Sequence, residues 1–371
     1  MSGLKAELIR LIADEGPMPV SRYMALCLGH PRHGYYMTRD PFGAAGDFTT
    51  APEISQMFGE MLGLWAAHLW QAMGAPARFS LVEIGPGRGT LMADMLRATR
   101  IVPGFQAAGS VHLVETSPAL REIQAATLAG KAVPVWHDRV ETALDGPVIV
   151  VANELLDALP LDQFVMTKHG WRERLVGLDG DGKLAFGLGE VLGGETLSGD
   201  VFPATTGQEG AVLEQPTAAL RLVSDVAGHV ARYGGGALFI DYGSMQSGFG
   251  DTLQAMRRHY FVDPLAEPGE ADLTVHVDFA RMAQAALRSE AAVHGPVRQG
   301  DFLLALGLAE RAQALCGRAR PEQVQAIGAA LDRLTERGET GMGDLFKVLA
   351  LSHADLPPLP GFDLHRLPEQ G

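Results

Sequence analysis

Cysteine is scarce in this chain of 371 residues, and basic residues are fewer than acidic ones. The two cysteines, Cys27 and Cys316, lie far apart and form neither a metal-site spacing nor a disulfide framework, which favours a reducing compartment. The 30 lysines and arginines against 44 acidic residues give a net charge of −14. This charge argues against nonspecific binding to nucleic acid or to an anionic membrane, and it favours a basic protein or peptide as partner.

Long apolar runs are also missing. No run approaches the roughly 20 residues that a membrane-spanning helix needs. The N-terminal residues carry Glu7, Asp14 and Glu15 within their apolar pattern, which is unlike a secretory or transit peptide. The 12 histidines lack the paired spacing of metal ligands, so no metal is expected. We therefore expect a soluble, cytoplasmic protein with no membrane insertion.

A glycine-rich turn with Gly85, Gly87 and Gly89 follows the mainly apolar residues 81–84 and leads into a helical pattern. Glycines let backbone amides approach a ligand closely, and a helix start offers unpaired N–H groups. Glu83, two residues before the first glycine, would repel a pyrophosphate but could hold the ammonium of an amino-acid group. This residue and the G-x-G-x-G spacing favour S-adenosyl-L-methionine (SAM) over a dinucleotide, whose pattern is G-x-G-x-x-G. A tight turn without a ligand would also explain the glycines alone.

Strand and helix patterns alternate after this turn. The expected strands are the one that leads into the turn and ends at Ile84, then 110–115, 133–136, 147–152 and 236–241. The fourth is apolar on both faces, as a central parallel strand should be. The pattern predicts a Rossmann-like α/β fold with a doubly wound, mostly parallel sheet.

The remaining chain is predicted to form a helical N-terminal segment and insertions into the sheet domain. The predicted organisation is an N-terminal segment (1–76), a sheet domain (77–355) with insertions at about 162–210 and 242–277, and an irregular tail (356–371). The first insertion contains short runs typical of antiparallel strands. One long helix is expected from Thr50 to Met73, and another from Leu213 to Tyr233.

Acidic residues follow the second and fourth strands, whose carboxyl ends lie at the ligand-binding edge of such a sheet. Glu115 could accept hydrogen bonds from both ribose hydroxyls, although a solvated strand end is the alternative. Asn153, Glu154 and Asp157 follow the fourth strand. Their two carboxylates suit a guanidinium, which stays protonated and offers paired N–H donors. Helix capping by Asn153, with the acids in the first turn, is the alternative.

Other polar and aromatic residues are weaker candidates. His276, in a Val-His-Val run, could shuttle a proton or be structural. Asp47 and Glu53 flank the start of a predicted helix, where capping is their expected role. Asp241 could close an acceptor pocket or form a simple turn. Trp136 could stack on an adenine, but a packed Trp is the more common outcome.

Six segments, in this order along the chain, are similar to one known family. They are 46–55, 83–89, 152–160, 239–243, 271–279 and 342–349. Together they resemble the MidA family of SAM-dependent methyltransferases, which act in the assembly of respiratory complex I. The resemblance implies an enzyme that symmetrically dimethylates an arginine on a complex I subunit.

The resemblance also implies roles for individual residues. It implies that Gly85, Gly87 and Gly89 line the SAM site, that Glu115 holds the ribose, and that Glu154 and Asp157 meet the arginine. With the residues argued from the sequence itself, the expected cofactor-binding set is Glu83, Gly85, Gly87, Gly89, Glu115 and Asn153, and the expected catalytic set is Glu154, Asp157 and His276. The two-glutamate hairpin of the better-known arginine methyltransferases is not recognisable, so Glu154 and Asp157 are a proposed replacement. A non-catalytic assembly chaperone with a vestigial SAM site is the alternative function. A nicotinamide oxidoreductase is disfavoured by the glycine spacing, and a homodimer is left open.

Overall fold

The computed structural model describes residues 3–38, 50–193, 207–338 and 340–362. Its helices are α1 (Gly3–Glu15), α2 (Val20–Gly29), α3 (Tyr35–Thr38), α4 (Ala51–Ile54), α5 (Gln56–Ala72), α6 (Thr90–Thr99), α7 (Phe105–Ala108), α8 (Pro118–Leu128), α9 (Thr217–Tyr233), α10 (Phe279–Arg288), α11 (Gln299–Ala305), α12 (Leu308–Cys316), α13 (Pro321–Thr335) and α14 (Met342–Leu345). Its strands are β1 (Met18–Pro19), β2 (Phe79–Ile84), β3 (Gly109–Val114), β4 (Val135–His137), β5 (Val148–Asn153), β6 (Asp162–Thr167), β7 (Gly170–Leu178), β8 (Leu184–Val191), β9 (Val212–Gln215), β10 (Gly235–Ser244), β11 (Gln254–Arg257), β12 (Tyr260–Val262), β13 (Asp272–Thr274), β14 (Val277–Asp278), β15 (Ala292–Arg298) and β16 (Phe346–Ser352).

The central sheet has the strand order β15-β16-β10-β5-β2-β3-β4, and β14 adds to β10. Strands β4, β3, β2, β5 and β10 run parallel, whereas β16 and β15 pair antiparallel at one end. The chain turns from β2 towards β3 on one side and from β5 towards β10 on the other. Ligands bind in the crevice at such a switch point, beyond the carboxyl ends of the strands. The predicted doubly wound, mostly parallel α/β fold is confirmed.

A hydrophobic core covers each face of this sheet. Ile149 and Val151 of β5 contribute to the core that holds α5, α6 and α11–α13. Val148 and Val150 point to the opposite face, where α9 and α10 pack. Successive side chains of a strand alternate between faces, so a strand covered on both sides must be apolar throughout. This is why residues 148–152 read as one continuous apolar run.

Two smaller antiparallel sheets flank the central one. The first has the order β1-β7-β6-β9, with β8 on β7, and the second has the order β12-β11-β13. Helices α1 and α2 bury Leu4, Leu8 and Met24 in a third core, which also holds Val176 of β7 and Leu273 of β13. The inserted antiparallel strands expected from the sequence are therefore present. In the described ranges, no helix is both long and apolar enough to cross a membrane.

Two predicted helices differ from those observed. The helix expected from Thr50 to Met73 is divided into α4 and α5 at Ser55, whose backbone is extended and whose Oγ accepts a hydrogen bond from the N–H of Met57 at 3.1 Å. The helix expected from Leu213 begins only at Thr217, because residues 212–215 form β9 and pair with β6. Strand β15 was not predicted, and its pairing with β16 completes the sheet.

Candidate functional site

The glycine turn lies between β2 and α6. Gly85, Gly87 and Gly89 have φ values of 68°, 51° and 79°, a backbone conformation that side chains disfavour. A Cβ added at Gly85 would lie 2.8 Å from Cδ1 of Leu155. The backbone N–H of Gly85 donates to the carbonyl of Val114 at 3.0 Å. The predicted glycines thus form one turn that packs against the loop after β5.

Two cavities border this turn, and a third lies next to them. The turn cavity, of about 40 Å³, is lined by residues that include Glu53, Glu83, Gly87, Thr90, Asn153 and Glu154. The strand-end cavity, of about 430 Å³, is lined by residues that include Gly85, Glu115, Leu120, Val140, Glu154 and Leu155. The outer cavity, of about 590 Å³, is lined by residues that include Tyr36, Glu154, Asp157, Tyr242, Asp272 and His276. Glu154 borders all three cavities.

Two oxygen atoms in the turn cavity have no hydrogen-bond partner among the described residues. They are Oε2 of Glu83 and Oδ1 of Asn153, and both are buried. Burial raises the pKa of the Glu83 carboxyl to about 8, although a hydrogen bond from the backbone of Met92 lowers it in part. Unpaired buried acceptors are costly, so two of them in one small cavity indicate a donor group that enters it. An ammonium beside the glycine turn, as in the amino-acid end of SAM, fits this arrangement.

Glu115 lines the strand-end cavity at the end of β3. Its Oε1 accepts the backbone N–H of Ser117 at 2.7 Å, and its Oε2 accepts Nε2 of Gln124 at 3.2 Å. Burial raises its pKa, and these hydrogen bonds oppose that effect. The carboxylate is therefore held in one orientation at the wall of the cavity, which is the position predicted for a ribose acceptor.

Gln124 was missed by the sequence reasoning. Its Nε2 also donates to the carbonyl of Gly87 at 2.8 Å, and its Oε1 accepts Nε1 of Trp136 at 2.8 Å. It is fully buried and ties the glycine turn to Glu115. Its burial could have been predicted from its position in α8, because Leu120, Gln124 and Leu128 are four residues apart and form the buried face of that helix. Trp136 packs against the core, the outcome expected for it in the absence of stacking.

Glu154 occupies an unusual backbone position directly after β5. Its φ is 53°, which is uncommon for any residue other than glycine. Its N–H donates to the carbonyl of Ile240 at 2.8 Å, and its Oε1 accepts the N–H of Ala51 at 3.0 Å and Nδ2 of Asn153 at 3.1 Å. Burial raises the pKa of its carboxyl to about 7. The carboxylate is thus fixed where the three cavities join.

Asp241 supplies the capping that was considered for the residues after β5. It is fully buried, and its Oδ2 accepts the backbone N–H groups of Leu155 at 3.0 Å and Leu156 at 2.8 Å. Asn153 lies in β5 and caps no helix. Asp241 therefore fixes the backbone of the loop after β5. The side chain of Asp157 is not needed for this capping and lines the outer cavity.

Asp157 and His276 line the outer cavity together with Tyr242. Asp157 is 7% exposed, and burial and the charge of Glu154 raise its pKa to about 7, whereas a hydrogen bond with Tyr242 opposes this. The rings of Tyr242 and His276 meet edge to face, with centroids 5.2 Å apart. Desolvation and the charge of Lys347 lower the pKa of His276, which favours the neutral imidazole.

The structure adds a third carboxylate to the outer cavity. Asp272 is 3% exposed and accepts the hydroxyl of Tyr36 at 2.9 and 3.0 Å. Neither residue was predicted, and their sequence separation gave no signal for the contact. The prediction that Glu53 caps a helix is wrong. Its Oε1 instead accepts a hydrogen bond from the hydroxyl of Thr90 at 2.6 Å, which joins α4 to α6. Asp47 lies outside the described residues.

Comparisons with known proteins agree with this geometry. Residues 61–297 match a family model described as "Putative S-adenosyl-L-methionine-dependent methyltransferase". The chain is 36% identical to the Drosophila melanogaster protein named protein arginine methyltransferase NDUFAF7 homolog, mitochondrial, over 97% of this chain and 88% of that protein. It is also 36% identical to human protein arginine methyltransferase NDUFAF7, mitochondrial, over 92% of this chain and 81% of that protein.

Two solved structures from Burkholderia thailandensis are similar along nearly the whole chain. One was crystallised with S-adenosyl-homocysteine and has a TM-score of 0.82 at 31% identity, covering 97% of this chain and 94% of its own. The other has a TM-score of 0.83 at 30% identity with the same coverage. The curated relatives are named as mitochondrial proteins, so the expectation of a cytoplasmic protein is wrong.

Proposed function

Because this chain belongs to the family of SAM-dependent methyltransferases, we propose that its acceptor is an arginine side chain of a protein. The observation that carries the proposal is the group of carboxylates at the outer cavity, where Glu154 and Asp157 lie beside the cofactor cavities. A guanidinium is the side chain that two carboxylates bind best, through paired N–H donors. The curated relatives are named protein arginine methyltransferases, which supports the same acceptor.

The cofactor would extend from the turn cavity into the strand-end cavity. Glu83 and Asn153 would accept the ammonium through their unpaired oxygens. The glycine turn leaves room for the backbone to approach the ligand, and Glu115 would accept the ribose hydroxyls. When bound, the cofactor supplies a methyl group on a positively charged sulfur.

The acceptor would enter from the outer cavity. Glu154 and Asp157 would hold the guanidinium and direct one nitrogen towards the donor, so that catalysis rests largely on alignment. The nitrogen gains the methyl group and loses a proton, and the product remains a cation. A carboxylate whose pKa is about 7 is well matched to accept that proton at neutral pH. His276, neutral and at the same cavity, would pass the proton to solvent.

The finer proposal is symmetric dimethylation of an arginine on a respiratory complex I subunit. The resemblance of six segments to the MidA family supports it. The negative net charge of −14 is compatible with a basic segment of the acceptor.

The test compares Glu154→Gln with wild type. The amide keeps an oxygen that can accept the Ala51 N–H but removes the charge, so we expect transfer to fall at least about 100-fold while SAM affinity changes little. Tritium transfer from SAM to protein measures the rate, and calorimetry measures affinity. Glu214→Gln is a control, since Glu214 is a partly buried carboxylate that is bonded to Thr252 and lines none of the three cavities.

Each outcome assigns Glu154 differently. Loss of SAM binding would place Glu154 at the cofactor, and unchanged transfer would refute the acceptor role. Mass spectrometry of proteins from cells with and without the gene would identify the methylated residue and the symmetry of the product. Normal complex I assembly by a variant with Gly87 disrupted would favour the chaperone alternative.

A further inference from the structure

One face of the sheet β12-β11-β13 forms a wall of the outer cavity. Met256 of β11 pairs with Asp272 of β13 on one side and with Phe261 of β12 on the other. Directly paired residues on neighbouring strands share a face, and all three side chains line the cavity. This row of three side chains therefore leads from the carboxylate of Asp272, which is 3% exposed, to the ring of Phe261, which is 70% exposed. A side chain held by the cavity acids can continue along this row to the edge of the sheet.

Among the described residues, β12 is a free edge that pairs with β11 alone. The loop Arg258–His259 has positive φ at both residues, 48° and 64°, as in a type I′ hairpin turn. The pair that closes such a turn, here Arg257 and Tyr260, exchanges its hydrogen bonds within the hairpin. In the next pair, Met256 and Phe261, the backbone N–H and C=O of Phe261 therefore point away from β11, towards the free side of β12. Groups directed this way can pair with a further strand.

The side chains of β12 differ from those that usually prevent an edge strand from pairing with another chain. Edge strands are commonly blocked by charged residues or proline, whereas β12 carries Tyr260, Phe261 and Val262. These residues are 76%, 70% and 37% exposed, and tyrosine and phenylalanine are enriched at protein interfaces. The exposed edge is continuous with the outer cavity through Phe261.

We propose that β12 binds an extended segment of the acceptor protein as an added β-strand, with its target arginine directed into the outer cavity. This inference rests on the arginine transfer proposed above and adds the conformation of the substrate. Backbone pairing with β12 supplies affinity that is independent of the acceptor sequence, and the side chains beside the arginine contact Tyr260 and Phe261. The enzyme then recognises an arginine in an extended segment rather than on a folded surface.

The test uses short synthetic peptides with a fixed central arginine and varied flanks, methylated with tritiated SAM. Tyr260→Thr removes the ring but keeps a residue that favours strands, because threonine is β-branched. For the best peptide it should raise KM about tenfold, a typical loss for an interface tyrosine, with kcat within about twofold. Methylation of N-acetylarginine amide should be unchanged, because that acceptor has no strand to add. Tyr233→Thr is the control, since Tyr233 is 52% exposed at the end of α9.

A second measurement uses the wild-type enzyme only. Methylating the peptide's own backbone nitrogens one at a time should raise KM at the position whose N–H faces Phe261 and not at the two adjacent positions, because the adjacent N–H groups of an added strand point away from the edge. Equal KM values for Tyr260→Thr and wild type, or equal effects at these three positions, would overturn strand addition and leave arginine transfer intact. Methylation of folded proteins but of no peptide would overturn it as well. No arginine methylation of any protein or peptide would instead refute the proposed function.

Discussion

Glu83 gives a direct test of the cofactor site, because its carboxyl is buried without a compensating cation. It is 3% exposed, and burial raises its pKa from 4.5 to about 8. An acid with a higher pKa in the folded chain binds its proton more tightly there, so stability is lost as pH rises from 4.5 to about 8. At about 1.4 kcal/mol for each pH unit, the free energy of unfolding falls by about 5 kcal/mol over this window.

We expect Glu83→Gln to remove this loss, because the amide stays neutral and can still accept the N–H of Met92. Without SAM, the variant should match wild type near pH 5 and exceed it by a few kcal/mol near pH 9, as measured by urea unfolding. With SAM the advantage of the variant in free energy of unfolding should shrink, since the charged bond to the ammonium is lost and the variant gains less from binding. Losing such a bond costs about 1.5–3 kcal/mol, or about 10- to 100-fold in affinity.

Glu214→Gln is the control for affinity, since Glu214 also has a raised pKa but lies outside the three cavities. Its SAM affinity should equal that of wild type in calorimetry. If Glu83→Gln were less stable than wild type near pH 9 without SAM, the carboxyl would not be an uncompensated charge. If its SAM affinity were unchanged, the ammonium would bind elsewhere.

Two further predictions concern the acceptor and the turn. Because the pKa values of Glu154 and Asp157 are both raised to about 7 and the acceptor is a cation, kcat/KM for the acceptor should rise between pH 6 and pH 8 as they ionise; a profile that is flat over this range would contradict their role. Gly85→Ala should lower the free energy of unfolding by about 1–3 kcal/mol and weaken SAM binding, because the φ of 68° disfavours a side chain and the new Cβ would lie 2.8 Å from Leu155. Thermal unfolding measures this, and Gly180→Ala, with open space around its Cβ and no positive φ, should be neutral.

Much of the sheet could be predicted because its strands carry their own signal. Strand β5 is covered on both faces and is a nearly continuous apolar run, and β2 is buried along its length with four apolar residues of six. The glycine turn was also readable, since three glycines in five residues have few explanations other than a backbone that side chains disfavour. The alternation of strands and helices then predicted a mostly parallel sheet. In such a sheet the carboxyl ends of the strands lie at one edge, so the acids after β3 and β5 were expected there.

Other features depend on partners that are distant in sequence. Leu213 is compatible with the apolar pattern of α9, but residues 212–215 form a strand that pairs with β6. The contact of Asp272 with the outer cavity depends on the packing of an inserted sheet, and no spacing in the sequence reports it. The burial that raises the pKa of Glu83 is likewise a property of the assembled core.

The backbone at Glu154 explains how one carboxylate can border both the proposed cofactor cavities and the outer cavity. A non-glycine residue at a φ of 53° costs about 1–3 kcal/mol, and such strain persists only where surrounding contacts hold it. Here the carbonyl of Ile240 fixes the backbone, and the N–H of Ala51 fixes the carboxylate. An extended backbone at this position would continue β5 and would direct the side chain to one face of the sheet. The turn instead places the carboxylate beyond the strand end, at the meeting point of three cavities. Glutamate at this position is therefore explained by the chemistry of the site, since glycine would satisfy the backbone at lower cost.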